Sequence, residues 1–486
     1  MPEIESPRLA RLSRLPLLAI AAVAAALVLY VLARLAMGTV RTATPVLVLY
    51  LVVPLVVAIL STVVAGRSTE ARLATLLTLA LSLLAVWLFE VRLQLDDGTG
   101  PGTARAIRAA EAAGRSFDRR KGLELVDSIR AGGVAAFPAM FGPAIAAGRL
   151  GPLSLRFVVG RDTLLPLGSV PKATTVYCNE SGTFDVYRTD SLGYNNDDAT
   201  WSDSATDAVL LGDSYVAGAC LPRERGLAAA LREFGIRSLN LGVGGSGPLA
   251  ELARLREFGA PRRPRLVLWL YTEGNDFEDL KLEERNPTLK RYLDPSFSQQ
   301  LATRHAAMDT AFEHRLDSVL AEHRLVPSFW ARLRGVAWAD VVRLQTLRDN
   351  LRLPSLRTGE RAEPRCCSYE KYDFATFEQV LREADREVKS WGGRLEFVVI
   401  PDNSHFLGAD GRFCRPCTLS PYRDSLNAAR HRGVAVARDA GLEVVDLHPA
   451  LLAEASVVPL FDWAGAHFNA AGYHFIAKEV ARQLRR

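Results

Sequence analysis

The chain opens on three apolar runs without a single charged residue, at positions 15–33, 42–66 and 73–89. About 20 helical residues at ~1.5 Å each cross a ~30 Å hydrocarbon layer. The first two runs have that length. The third reaches it through Val91 and Leu93 if Glu90 and Arg92 extend their charged ends to the interface. Three successive runs joined by short charged loops predict a three-helix membrane anchor over 1–97, with helices at about 15–35, 44–66 and 72–93, rather than a cleaved signal peptide. Pro45 and Pro54 are tolerable in a membrane helix, where neighbours satisfy the freed carbonyls.

After the anchor the pattern changes. Residues 98–186 are rich in Gly, Ala and Arg, with a helical stretch at 122–131, and read as a juxtamembrane linker region. From 187 to 486, short apolar runs at 208–211, 238–241, 266–271, 395–400 and 442–445 alternate with helical patterns such as 247–258 and 374–391. Five buried strands with intervening helices predict an α/β domain whose parallel sheet is covered on both faces. A charged helical insertion, about 283–365, separates the third strand from the fourth.

Composition adds location more than class. With 49% hydrophobic and 23% charged residues, the 486-residue chain is an ordinary globular mix, which rules out wholesale disorder. A mean hydropathy of +0.07 averages the anchor with a polar remainder. The net charge of +5, from 59 basic against 54 acidic side chains, is too thin to argue for nucleic acid. Arg8, Arg11, Arg14, Arg67 and Arg72 flank one side of the expected anchor, and Arg34, Arg41 and Arg92 the other. This bias predicts a cytoplasmic N-terminus in the inner (plasma) membrane and, after three spans, an extracytoplasmic remainder.

All six cysteines, Cys178, Cys220, Cys366, Cys367, Cys414 and Cys417, follow the anchor, which suits disulfides in an exported region. Cys178 lies in the approach to the first strand and Cys220 just past the turn that follows it, so a Cys178–Cys220 bridge would pin that approach beside the turn. Zinc is disfavoured, because the adjacent Cys366 and Cys367 are awkward partners in a tetrahedral site. No metal or other cofactor is expected.

In an open parallel sheet, chemistry gathers at the carboxyl ends of strands. There the sequence offers Gly212-Asp213-Ser214 after the first strand and the glycine-rich 240–247 after the second. Glu273-Gly274-Asn275-Asp276 follows the third, and His467-Phe468-Asn469 comes after the last. A hydroxyl, a flexible backbone donor, an amide and an imidazole are the parts of serine-based acyl transfer. Ser214 is the expected nucleophile and His467 its base. The Ser214 amide, the Gly245 amide and the Asn275 side chain are the expected oxyanion donors. Asp462 is the nearest carboxylate in sequence to His467 and would orient its ring. Asp402 and His405 follow the fourth strand, where they could line the substrate cleft.

These blocks, in this order, resemble the SGNH (GDSL-type) hydrolase superfamily from about Cys178 to the C-terminus, roughly 60% of the chain. Gly212-Asp213-Ser214, Gly245, Gly274-Asn275-Asp276 and His467-x-Asn469 carry the resemblance. It implies a flavodoxin-like three-layer α/β/α sandwich and a metal-independent esterase or acyl-transfer activity. The chain also resembles membrane-tethered bacterial members that modify envelope or exopolysaccharide glycans, in which a segment like 190–196 precedes the catalytic strand. One departure concerns the triad acid. The family usually places it three residues before the histidine, where this chain has Ala464. Asp462 from an altered loop, another carboxylate or a carbonyl would then serve, or the serine and histidine would act as a dyad.

The expected function is a membrane-anchored serine O-acyl esterase acting on an acylated extracytoplasmic glycan or another ester. Its alternatives are a polysaccharide O-acetyltransferase using the same serine, with a membrane acyl-donor partner, and a non-catalytic carbohydrate-binding assembly factor. The expected partners are the ester substrate and the lipid bilayer, not nucleic acid.

Overall fold

The computed structural model describes residues 7–37, 47–97, 114–142, 157–159, 162–180, 182–202, 206–324, 338–351, 374–406, 423–455, 459–461 and 467–485, with a few single positions between them. They form two compact units: Met1–Ala104 with Pro327–Ala362, and Arg105–Val326 with Glu363–Arg486.

The first unit is built on α1 (Pro7–Ala36), α2 (Val53–Ala65) and α3 (Thr69–Asp97). Ala10–Ala36, Val48–Ala65 and Thr69–Leu95 are long and apolar enough to cross a membrane, with mean hydropathies of 2.7, 2.7 and 2.0. A π-helical turn at Val48–Val52 leads into α2, where the Val53 N–H donates to the Val48 carbonyl. Pro54 brings no N–H of its own, and the wider turn relieves the crowding that its ring would cause in a regular helix. Arg72 ties α3 to the start of α1 by donating from Nη1 to the Ala10 carbonyl at 2.6 Å.

Part of the insertion belongs to this unit. The helices Trp338–Arg343 and Gln345–Asn350 pack on α3, where the buried Glu90 carboxylate accepts the Thr346 and Leu347 amides at 2.8 and 2.7 Å. Arg348 Nη2 donates to the Tyr50 hydroxyl at 2.7 Å. Glu90, expected as a charge reaching for the interface, therefore caps a helix of the insertion.

The second unit begins within the expected linker. α4 (Gly122–Ala131) packs with β1 (Ala136–Pro138), which joins β4 (Thr174–Val176) and β5 (Val186–Arg188) in a small mixed sheet. β2 (Phe157–Val159) and β3 (Asp162–Leu164) form an antiparallel pair. Val126, Phe137, Val176, Phe312 and Leu316 share a satellite core beneath this platform. Residues 98–186 thus include a folded support, completed by the first half of the insertion.

The main sheet contains β6 (Ala208–Leu211), β7 (Ser238–Asn240), β8 (Leu266–Thr272), β9 (Arg394–Ile400) and β10 (Glu443–Asp446), in the order β10-β9-β8-β6-β7 and parallel throughout. Counted from β6, this is the flavodoxin-like order 2-1-3-4-5. Alternate side chains fill two separate cores. Val209, Val267, Trp269, Phe397 and Val399 face one, against α7 (Pro248–Arg254), α10 (Ala375–Ser390) and α11 (Arg423–Asp439), with α9 (Leu301–Arg324) contributing at its edge. Leu210, Leu268, Leu270, Val398 and Val445 face the other, against α6 (Leu227–Glu233), α12 (His448–Ala455) and α13 (Ala470–Leu484). Burial on both faces is why these strands read as continuous apolar runs. Two further helices, α5 (Ser214–Ala217) and α8 (Asp276–Glu283), start directly beyond the ends of β6 and β8.

Candidate active site

The strand order reverses between β6 and β8, and the four expected blocks converge on that side. Ser214 is the first residue of α5. Its cap, Asp213, is fully buried and accepts the Tyr215 amide at 2.9 Å and the Thr272 hydroxyl at 3.0 Å through Oδ1. Asp213 Oδ2 lies 3.3 Å from Ser214 Oγ and accepts Asn275 Nδ2 at 3.0 Å. One carboxylate therefore joins the ends of two strands and fixes the serine turn.

Ser214 Oγ lies 2.9 Å from His467 Nε2, and His467 Nδ1 lies 2.8 Å from Glu180 Oε1. Assigned from its partners, the imidazole carries its proton on Nδ1, towards the carboxylate, leaving Nε2 to accept from the serine. Burial works against a charged ring, but the Glu180 carboxylate and the more distant Asp213 outweigh it and raise the pKa of His467. The ring of Tyr215 leans on the imidazole at 5.1 Å between centroids. Asn469 caps α13 by accepting the Gly472 amide at 3.0 Å and donates to the Pro459 carbonyl at 2.9 Å, which anchors the loop that carries His467.

Glu180 comes from the expected linker and was not singled out in the sequence. Asn179 beside it donates to the Asp118 carbonyl at 2.9 Å and accepts the Gly182 amide at 2.9 Å, which sets the turn. The disulfide Cys178–Cys220 fastens the same turn to the segment just after α5. Donor atoms of Glu180, His467 and Cys220 all lie within 4.8 Å of one another. Such a trio could suggest a metal site, but the Cys220 sulfur is committed to Cys178 and has no thiolate to offer. The closeness instead places the bridge directly against the Glu180–His467 pair. Asp462 lies outside the described residues, as do Cys366, Cys367, Cys414 and Cys417.

The glycine loop after β7 approaches the serine turn closely. A Cβ on Gly242 would come within 2.4 Å of the Ala217 nitrogen, and Gly245 takes a left-handed φ of 66° that a side chain would disfavour. Buried Arg254 ties this loop to the serine strand, donating to Ser246 Oγ at 2.8 Å and to the Gly212 carbonyl at 3.1 Å. Glu283 accepts the Gly247 and Leu249 amides at 2.7 and 3.0 Å, and burial raises its pKa to about 8. Asn275 stands beside the serine, with Nδ2 donating to Asp213 at 3.0 Å and to Asp279 at 2.9 Å. To receive an oxyanion it must release one of these two acceptors.

The segment 190–196 also has a structural job. Asp190 Oδ1 accepts the Leu192 and Tyr194 amides, both at 2.9 Å, closing a tight turn. Asn196 then pairs with β7, its Oδ1 accepting the Asn240 amide at 2.8 Å and its Nδ2 donating to the Asn240 carbonyl at 2.9 Å. The amide side chain occupies backbone groups that an edge strand would otherwise expose.

Asp402 and His405 are placed differently from each other. Asp402 is half-buried over Gly274, where an added Cβ would meet its Oδ2 at 2.4 Å. His405 is buried. Its Nε2 lies 3.0 Å from Glu273 Oε2 and its Nδ1 3.0 Å from His448 Nε2. Burial raises Glu273 to about 8 and lowers His405 to about 4 and His448 to about 3, so this chain is predominantly neutral at neutral pH.

No family model matches the chain, and no curated protein matches it. Solved structures similar to it include a protein described as lipolytic and of the G-D-S-L family from Desulfitobacterium hafniense, at 12% identity and a TM-score of 0.30, covering 57% of this chain and 98% of that one. A lipase/acylhydrolase from Enterococcus faecalis is 14% identical with a TM-score of 0.28, over 57% of this chain and 94% of its own. A catalytic mutant of an acetylxylan esterase from Geobacillus stearothermophilus is 13% identical with a TM-score of 0.29, over 58% and 94%. Likenesses this distant carry no chemistry across, and the functional reading rests on this chain's own residues.

Proposed function

We propose that the chain is a membrane-anchored serine esterase of the SGNH (GDSL-type) kind, acting on an acylated extracytoplasmic glycan or another acyl ester. The observation that carries this reading is the line of Ser214 Oγ, His467 and Glu180 at 2.9 and 2.8 Å.

In the proposed cycle, His467 Nε2 takes the Ser214 proton as Oγ attacks the ester carbonyl. Glu180 holds the ring in the required tautomer and stabilises the imidazolium. The Ser214 and Gly245 amides and the Asn275 side chain receive the oxyanion. The intermediate collapses as His467 protonates the departing alcohol. Water, deprotonated by the same nitrogen, then releases the acid from Ser214. Three apolar spans supply the anchor, and the loop arginines favour a cytoplasmic N-terminus with this unit on the other side. Glu180 is the acid member of this triad, in place of the expected Asp462.

The test is hydrolysis of p-nitrophenyl acetate by the full-length protein in non-ionic detergent, with Ser214→Ala and His467→Ala alongside. Each variant should lose at least about 10²–10⁴-fold in kcat. Wild-type rates in both would overturn the proposal. Adding a glycan acceptor distinguishes a transferase, which would pass the acyl group to sugar instead of water.

A further inference from the structure

A concavity about 860 Å³ in volume lies alongside the triad. Cys220 and Asn469 connect the two. The sulfur of Cys220 is within 4.8 Å of donor atoms of Glu180 and His467, and Asn469 follows His467 by two residues. Ser214 does not line this groove, so it flanks the reaction centre and suits a part of the substrate distant from the ester.

The groove is rich in guanidinium groups: Arg115, Arg188, Arg223 and Arg225, against Asp185 and Glu224. Arg223 is a fixed strut, half-buried, paired with Asp197 at 2.5 Å and donating to Asn195 Oδ1 at 3.0 Å and to the Arg188 carbonyl. Arg115, Arg188 and Arg225 are exposed and make no ion pair among the described residues. Burial, reinforced by neighbouring Glu224, raises Asp185 to about 7, which thins the negative charge at the floor. The half-buried rings of Phe184 and Tyr187 line the same groove. Guanidinium forks match carboxylates and other oxyanions, while aromatic rings with a polar surround suit the faces of sugars.

We infer that this groove is a flanking subsite for an acidic polysaccharide, in which Arg188 and Arg225 hold anionic sugar units while an ester elsewhere on the polymer reaches Ser214. The inference rests on the esterase reading for its choice of substrate, and it adds the charge class of the polymer. Binding of a remote segment would then position the ester and lower its barrier.

The experiment separates the two claims. Binding of hexagalacturonate and of neutral xylohexaose to the full-length protein in non-ionic detergent is measured by calorimetry at low and at moderate salt. p-Nitrophenyl acetate hydrolysis is followed in the same preparations. The acidic hexamer should bind at least about tenfold more tightly than the neutral one. That preference should shrink with salt and fall about tenfold in Arg188→Ala/Arg225→Ala, whose p-nitrophenyl acetate rate and melting temperature stay at wild-type values. Equal binding of the two hexamers, or a preference unchanged in the double variant, would overturn the subsite. Loss of p-nitrophenyl acetate hydrolysis in the wild type would overturn the esterase reading instead, and leaves the binding result to stand by itself.

Discussion

Two chains of glutamate and histidine lie at the carboxyl ends of the same sheet, and they differ in burial and in what they end on. In one, Glu180 and His467 end on the hydroxyl of Ser214 in a half-buried site, where the carboxylate raises the histidine's pKa. In the other, Glu273, His405 and His448 are buried, the histidines are lowered to about 4 and about 3, and no hydroxyl or thiol joins those histidines among the described residues. The residue types are nearly the same. Solvent access and the terminal partner are what set the two apart.

The comparison breaks first at its carboxylates. Glu180→Gln should lower kcat by about 10²–10⁴-fold, because the ring loses its orientation and the charge that stabilises imidazolium. In the proposed cycle His467 acts only when neutral, and Glu180 raises its pKa, so the acid limb of kcat/KM should move to lower pH in this variant even as the plateau falls. A limb that stays in place, measured across pH 4–9 (roughly the span over which histidine titrates), would show that Glu180 does not act through the imidazole.

The disulfide sharpens the contrast, since among the described residues it adjoins the chain that ends on Ser214 and not the buried one. Reduction, or Cys220→Ala, should lower kcat about tenfold or more while Ser214 still reacts with a fluorophosphonate probe. It should also cost up to roughly 4 kcal/mol of stability for a closed loop of this length, with a sequence separation of 42. Full activity after complete reduction, verified by thiol titration, would free Glu180 from that tie.

The smallest expected change in rate lies on the buried side. His405→Gln should alter kcat less than about threefold but lower the melting temperature by a few degrees, through about 1–3 kcal/mol of lost buried hydrogen bonding. The unfolded chain binds protons on His405 and His448 below about pH 6.5, whereas the folded one resists until about 4 and about 3. Their depressed pKa values therefore contribute a loss of stability as pH falls through that window, and His405→Gln should make the acid side of the stability profile shallower. A large loss of rate in this variant would place His405 in the chemistry after all.

The sheet was legible in the sequence because both of its faces are buried, so runs such as 266–271 and 395–400 stood out as unbroken apolar stretches. Ser214, Gly245, Asn275 and His467 were legible for a different reason, since each follows a strand that the pattern had already located. Glu180 follows no strand of the main sheet. It is one of 54 acidic residues, held in place by a turn and a disulfide that local periodicity does not encode. Its one signal was Cys178, two positions earlier, already expected to pin the approach segment beside the serine turn. Arg254 was hidden in the same way, as a cation within an apolar helix whose partners lie on two other loops.

The split of the insertion has a practical consequence. Because Pro327–Ala362 returns to the unit that contains the three apolar helices, the polypeptide passes from one unit to the other three times. A soluble fragment cut simply after Asp97 would still carry this returning strip but lack the glutamate that caps it, and Val341, buried in the intact unit, would lose the helix its own helix packs on. Excising the strip as well, with a flexible linker in its place, is the more rational route to a water-soluble form of the second unit.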